Sequence, residues 1–420
     1  MSLFELERNA EFEELVTYLE ESSNTDIRRR AAEILGGLAS EVTKSRFPRE
    51  DIVNPLIATA QNDDDDEVRA AAIDALDQYG QDALEQFIGE VSGQDVENVA
   101  KWKKAQILAK GLNADRPELR MAAATGLGRI GEDNVVEHLV KRLSDPDPRV
   151  RKRVARALGR IGSPEPVPAL SQRLHEDRYG IRVEAAYALA DIGTNNALRE
   201  LVDVAEADDE RLRRIAVDAL GRLGSVEAVE VLAESLQDEA EVVRRTAMFS
   251  LVELLSEAPS DASHKIREKI VGELEQVNEA QVEQPLIDLL EKSTETAQRR
   301  NAAWLLGRVT SEQYREEAQE TLIDTLADDD EMTSKFAATS LSMLDGGSLE
   351  ERLLELVEDR HRDEGARVKA LFVLGKIGGE ESRKRISGFV DRTESDRLRK
   401  RGFSALSKLG GAGAPSGDFA

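Results

Sequence analysis

The residues best suited to recognition chemistry in this chain are cations. Residues 148–162 read PRVRKRVARALGRIG, with six positive charges and no negative one, in a 420-residue chain of formal net charge −26. A guanidinium offers a planar fork of donors that matches a carboxylate or a phosphate. Several of them on one surface could recognise an anionic partner. On a wheel of about 100° per residue, Val150, Val154, Ala157, Leu158 and Ile161 fall together as an apolar face. Arg149, Lys152, Arg153, Arg156 and Arg160 fall on the opposite face, and Arg151 stands apart on the flank beside Leu158.

The element that carries this stretch recurs. Its key leucine falls at Leu127, Leu158, Leu189, Leu220 and Leu251, each 31 residues after the last. Seven residues before each stands Arg120, Arg151, Arg182, Arg213 or Arg244. The same spacing returns in Arg28/Leu35, Arg69/Leu76, Arg299/Leu306, Arg367/Leu374 and Arg399/Leu406, while Ser334 replaces the arginine before Leu341. Each unit reads as two helices. In the fourth, a first helix over 136–143 meets SDPDP, a turn and a new N-terminus. A second helix over 149–161 ends at Gly162, a left-handed cap, as Gly131, Gly193 and Gly224 end their neighbours. Helical pairs of this kind bury their apolar faces only by stacking, so an all-α, right-handed α-solenoid of about eleven pairs is expected.

Longer spacings mark insertions: residues 41–51, an additional helix near 98–112, and another near 264–276. The chain then divides into residues 1–111 with the longer insertions, 112–256 with the regular repeats, 257–410 with the C-terminal repeats, and a disordered tail over 411–420.

Composition bounds the function. There are 83 acidic and 57 basic residues, 41 of the latter Arg, and no Cys. The carboxylate excess with Arg in place of Lys resembles the proteomes of salt-in haloarchaea. Without Cys there is no disulfide framework and no thiol chemistry. No apolar run approaches about 18 residues, and the N-terminus MSLFELERNAEFEEL has no signal-peptide core. A cytoplasmic protein is expected.

The LGRIG signature with its upstream VR resembles HEAT-like repeats of the phycocyanobilin-lyase type over roughly residues 12–410. In such repeats the arginine seven before the leucine pairs with an Asp of the inter-helix turn and builds a ladder; Asp115, Asp145 or Asp147, and Asp208 or Asp209 are the candidate acids. The resemblance also implies that second helices line a concave groove. Counted from nine residues before each key leucine to three after it, the second helices together carry +21 and the remaining 277 residues −47. Cations two after the leucine (Arg129, Arg160, Arg222, Arg308, Lys376, Lys408) suit the helix C-terminal dipole. Two residues before it stand Arg156, Tyr187, Phe249, Trp304 and Phe372, on the face away from the core. The expected partner-binding set is therefore Lys152, Arg153, Arg156, Tyr187, Arg214, Arg245, Phe249, Arg300, Trp304 and Phe372, since arginine and aromatics make interface hot spots. The opposing reading has these rings packing in the seam between repeats.

Enzymes of similar architecture set a further test. Deoxyhypusine hydroxylase, which the chain resembles in architecture, holds two irons with several His-Glu pairs. This chain has one, His175-Glu176; His138, His264 and His361 have no following Glu, so a two-metal site is not supported. A bilin-lyase role finds no identifiable pocket in the sequence. The run DDDDE at 63–67 lacks the Gly and terminal Glu of an EF-hand loop and reads as a solvated turn. No phosphate-binding or nucleophile-elbow motif is present. No cofactor, metal or small-molecule substrate is expected, and the protein is not read as an enzyme. It is read as a scaffold or adaptor for protein partners, with an accessory factor linking chemotaxis proteins to the archaellum motor among the similar HEAT-like proteins. A nucleic-acid-binding groove is the alternative. In molar salt the Debye length falls to about 3 Å and phosphate-driven binding weakens steeply, which favours the aromatic, protein-binding reading.

Overall fold

The second helices form by a shared local logic. In the fourth repeat the Asp147 carboxylate accepts the Arg149 amide at 2.8 Å, Pro148 takes the first helical position, and Gly162 closes the helix at φ 74°. Gly131, Gly193 and Gly224 likewise sit at φ 65–68°. We number the second helices α1 (Thr25–Gly37), α2 (Asp66–Tyr79), α3 (Pro117–Ile130), α4 (Pro148–Ile161), α5 (Tyr179–Ile192), α6 (Glu210–Arg222), α7 (Glu241–Glu257), α8 (Thr296–Val309), α9 (Glu331–Leu341), α10 (Glu364–Ile377) and α11 (Asp396–Lys408). The computed structural model describes residues 2–410 apart from 43, 46, 94, 95, 97, 98, 258–262 and 278. Among the described residues there are 26 α-helices and no strand, an all-α solenoid. Two of the helices answer the expected insertions, Lys101–Gly111 and Ser263–Leu274. The tail over 411–420 lies outside the described residues. The first helix of the fourth repeat, Val136–Arg142, ends one residue earlier than expected.

Two compact units divide the chain, Met1–Val204 and Ala205–Ala420. In the first, α1 packs on α2, and α3 on α4 on α5; the helices Gln81–Ser92 and Lys101–Gly111 both pack on α3. In the second, α6 packs on α7, α8 on α9, and α10 on α11. Every key leucine from Leu35 to Leu374 is fully buried, and Leu406, in the last helix, is half-buried. Removing one such side chain from water contributes about 1.5–3 kcal/mol.

The glycine after the key leucine has a packing cause that the sequence did not disclose. A Cβ on Gly128 would stand 2.8 Å from the Ala157 Cα, and one on Gly159 would stand 2.8 Å from the Ala188 Cα. Within the second unit, Gly221 meets Ser250 and Gly307 meets Ser340 in the same way. Glycine on one second helix and a small residue on the next let the two backbones close.

Several arginines of the column bind two turns at once, whereas Arg399 stays with Thr393 and Asp396 of its own turn. Arg120 donates through Nη1 to the Ala114 and Asp115 carbonyls of its own turn, and through Nε and Nη2 to the Asp145 carboxylate of the next turn, at 2.9 and 2.8 Å. Arg213 repeats this with the Ala207 and Asp208 carbonyls and Asp238, and Arg299 with the Ser293 and Thr294 carbonyls and Asp328. Of the candidate acids, Asp145 is a carboxylate partner of the column, and the others take different places. Asp115 and Asp208 give backbone oxygens, Asp145 serves the preceding repeat's arginine, and Asp147 and Asp209 cap α4 and α6. Arg151 takes its own-turn carbonyls from Asp145 and Pro146 and its carboxylate from Glu176, at 3.0 Å.

Candidate functional site

The basic face of α4 is held by acids from two repeats earlier. Arg149 reaches the Asp66 carboxylate at 3.0 Å. Arg153 donates to the Ala70 carbonyl at 2.9 Å and pairs with Asp74 at 2.7 Å. Arg160 pairs with Asp77 at 2.9 Å. The offset from α2 to α4 is 83 residues in each hydrogen-bonded case, so the helices meet in register. Arg129 of α3 joins the same Asp77 through its carboxylate and its carbonyl. Burial would push the Asp77 carboxyl up, but the Arg160 and Arg129 guanidiniums outweigh it and hold it below the usual carboxylate range. Arg129 and Arg160 are therefore ion-pair partners rather than mere complements to the helix dipole.

The expected site residues fare differently in this setting. Arg153 is 5% exposed, a correction to its place on an open stripe, because α2 covers it. Arg156 forks onto Glu184 of α5, with Nε–Oε2 at 3.1 Å, and the hydrogen bond to Glu184 raises the arginine above its ordinary range. Lys152 stands 3.8 Å from the same carboxylate and keeps 42% of its side chain in solvent. Tyr187 of α5 is half-buried. Beside Lys152 and Arg153 lies a groove of about 460 Å³, bordered also by Arg29, Glu33, Glu67, Asp74 and Arg149, with both signs of charge on its walls.

In the second unit, Arg214 of α6 is half-buried. Arg245 and Phe249 of α7 are exposed and border a cleft of about 770 Å³. Met248, Pro285 and Leu289 supply its apolar floor, and Glu241, Asp288 and Lys292 its polar rim. Arg300 pairs with Asp330 at 3.2 Å. Trp304 is half-buried, with two guanidinium carbons over its ring, that of Arg308 at 4.0 Å from the centroid and that of Arg267 at 4.9 Å. Burial pushes both arginines below the usual range, and the charge of Arg267 adds to the effect on Arg308. Phe372, also half-buried, has Lys376, Arg401 and Lys408 around its ring.

Some partners escaped the sequence reading. Asp77 left a trace, since it stands where most repeats place the close-packing glycine. Arg267 left none, because the inserted helix Ser263–Leu274 obeys no repeat spacing. The His175-Glu176 pair does not act together: His175 is exposed, and Glu176 accepts Arg151 and Arg173. In the acidic run, Asp63 and Asp64 pair with Arg28, and Asp65 caps α2.

The HEAT-repeat family pattern matches residues 12–102, 105–186, 167–252, 251–342 and 284–364. The HEAT repeat-containing taxis protein of Halobacterium salinarum (strain ATCC 29341 / DSM 671 / R1) is 46% identical over 412 residues, 98% of this chain and 99% of that protein. Among solved structures, an engineered protein is 21% identical, covering 96% of this chain and 99% of that one, with TM-score 0.40. The complex of CpcE and CpcF of phycocyanin lyase from Nostoc sp. PCC7120 is 22% identical, covering 62% and 94%, with TM-score 0.39.

Proposed function

The chain belongs to the HEAT-repeat family, and from that premise we propose that it is a non-catalytic scaffold that binds partner proteins along its second helices in haloarchaeal taxis signalling. The carrying observation is the end-to-end identity with a HEAT-repeat taxis protein. We further propose a cytoplasmic location; no helix among the described residues is long and apolar enough to cross a membrane.

The cleft beside Phe249 is the best candidate for the docking point. An exposed ring over an apolar floor, rimmed by Arg245 and Lys292, has the make-up of a hot-spot pocket. Tyr187 and Trp304 belong to the same register and remain in the proposed binding set with Lys152, Arg156, Arg214, Arg300 and Phe372. The nucleic-acid reading is weaker on α4, where Arg149, Arg153, Arg156 and Arg160 already face carboxylates.

The test is complementation. A Halobacterium salinarum strain lacking its HEAT repeat-containing taxis protein should regain tactic responses on receiving this chain. The Phe249→Ala, Arg245→Glu variant should fold but not restore them. Full rescue by that variant would remove the cleft from the mechanism, and no rescue by the wild type would remove the taxis reading.

A further inference from the structure

The cations two residues after the key leucine meet different partners in the two units. In the first, Arg129 and Arg160 converge on the Asp77 carboxylate. In the second, Lys376 and Lys408 converge on a ring: their ammonium nitrogens lie 4.7 and 5.2 Å from the Phe372 centroid, and the Arg401 guanidinium carbon lies at 5.3 Å. An aromatic quadrupole holds cations together but does not cancel their charge.

The cluster extends along both helices. Lys369 and Lys376 lie near Phe372 on one face of α10, and Arg397, Arg401 and Lys408 share one stripe of α11 at helical spacing. Among the described residues, none of these five forms an ion pair. Lys369 donates to the Leu326 carbonyl at 3.2 Å, and Lys376 to the Ser342 hydroxyl at 3.5 Å. Elsewhere the same chain gives carboxylates to Arg28, Arg120, Arg149, Arg160, Arg213 and Arg299. With a net charge of −26, carboxylates are abundant; Asp363 and Glu331 act on Lys369, and Glu331 on Arg397, but among the described residues no ion pair reaches Lys376, Arg401 or Lys408 at the Phe372 ring.

We propose that the α10–α11 face around Phe372 binds a carboxylate-rich segment of a partner protein. The inference rests on the scaffold reading in that the partner is a protein. Carboxylates would take the place that Asp77 fills in the first unit, as charge-assisted acceptors for Lys376, Arg401 and Lys408. A nucleic acid fits less well. Cations crowd Phe372, so its ring is not open for a base to stack, and Phe403, the exposed ring of α11, borders a hollow where Glu380, Glu381 and Asp391 alternate with Arg383 and Lys384, which is no continuous cationic track for a phosphate backbone.

The test uses the full chain in about 1 M KCl, where the Debye length is about 3 Å and only contact pairs count. The probe is a fluorescein-labelled oligoglutamate peptide, read by anisotropy, with oligothymidylate as the second arm. The wild type should bind oligoglutamate saturably. Lys376→Glu with Arg401→Glu should weaken it at least about tenfold, the loss of one charge-assisted contact. Lys141→Glu, on an exposed helix of the first unit, should leave it unchanged. If the double reversal lowers the melt, Arg401→Gln with Lys408→Gln carries the same comparison. Equal binding by the reversed and wild-type chains overturns the proposal. So does tighter, Lys376- and Arg401-dependent binding of oligothymidylate, or a self-association lost in those variants. Oligoglutamate binding with failed complementation would sink the taxis role and leave this site; the converse would leave the scaffold and sink this site.

Discussion

Asp77→Asn keeps the size of a buried side chain and removes its charge. Asp77 is 3% exposed and takes Arg160 Nη2 at 2.9 Å, with the Arg129 fork on its other side. In the variant, two guanidiniums meet over a neutral amide. Each lost charge-assisted hydrogen bond costs roughly 1.5–3 kcal/mol. The arginine side chains keep 32% and 33% exposure and can turn toward water, which discounts the sum. A net loss of about 2–4 kcal/mol is expected. Urea unfolding at fixed KCl measures it, and hydrogen exchange locates it: protection should fall across α2, α3 and α4 and hold in α10 and α11. Because the folded carboxyl lies below its unfolded value, it stabilises the chain above about pH 3.9 and loses that contribution as pH falls through the lower folded value. The gap between wild type and variant should therefore be flat from neutral pH to about 4 and close below it. Removing Arg129 and Arg160 as well should cost less in Asp77→Asn than in the wild type. Equal costs in both backgrounds, or a variant as stable as the wild type, would refute the clamp.

Arg120→Ala should destabilise by about 3–5 kcal/mol, since the Asp145 side chain it leaves behind is 0% exposed; a melt within error of the wild type would refute the two-turn role. Gly307→Ala should cost about 1–3 kcal/mol, because its Cβ would fall 2.6 Å from the Ser340 Cα. Gly37→Ala, with nothing within 4 Å, should be neutral or slightly stabilising by the same unfolding assay. The melting temperature should rise markedly between about 0.1 and 1 M KCl as the acidic surface is screened; a flat profile would end the halophilic reading.

The repeat was legible because leucine, arginine and the C-terminal glycine recur at fixed offsets, and each has a local or nearest-repeat cause. What an offset cannot carry is the identity of the facing surface. The wheel placed Arg153 opposite Leu158 correctly in angle, but angle says nothing of α2, whose Ala70 and Asp74 close over it. Phe249 remained exposed for the same reason in reverse: the helix Glu279–Lys292 borders it without covering it. The arginine ladder was legible as a column with candidate acids, but which acid serves which arginine was not, since one 31-residue period separates the two turns within reach and sequence alone gives no preference between them.

The register of α4 on α2 bears on how this array can evolve. In a linear array where each repeat touches only its neighbours, a repeat can be duplicated or deleted and the flanking interfaces simply re-form. Here Arg149, Arg153 and Arg160 reach past α3 to Asp66, Asp74 and Asp77. Deleting the third repeat, or inserting a copy beside it, would set arginines against a surface that lacks those acids. The segment from α2 to α4 is thus inherited as a block, whereas units tied only by the arginine ladder and the glycine contact stay interchangeable.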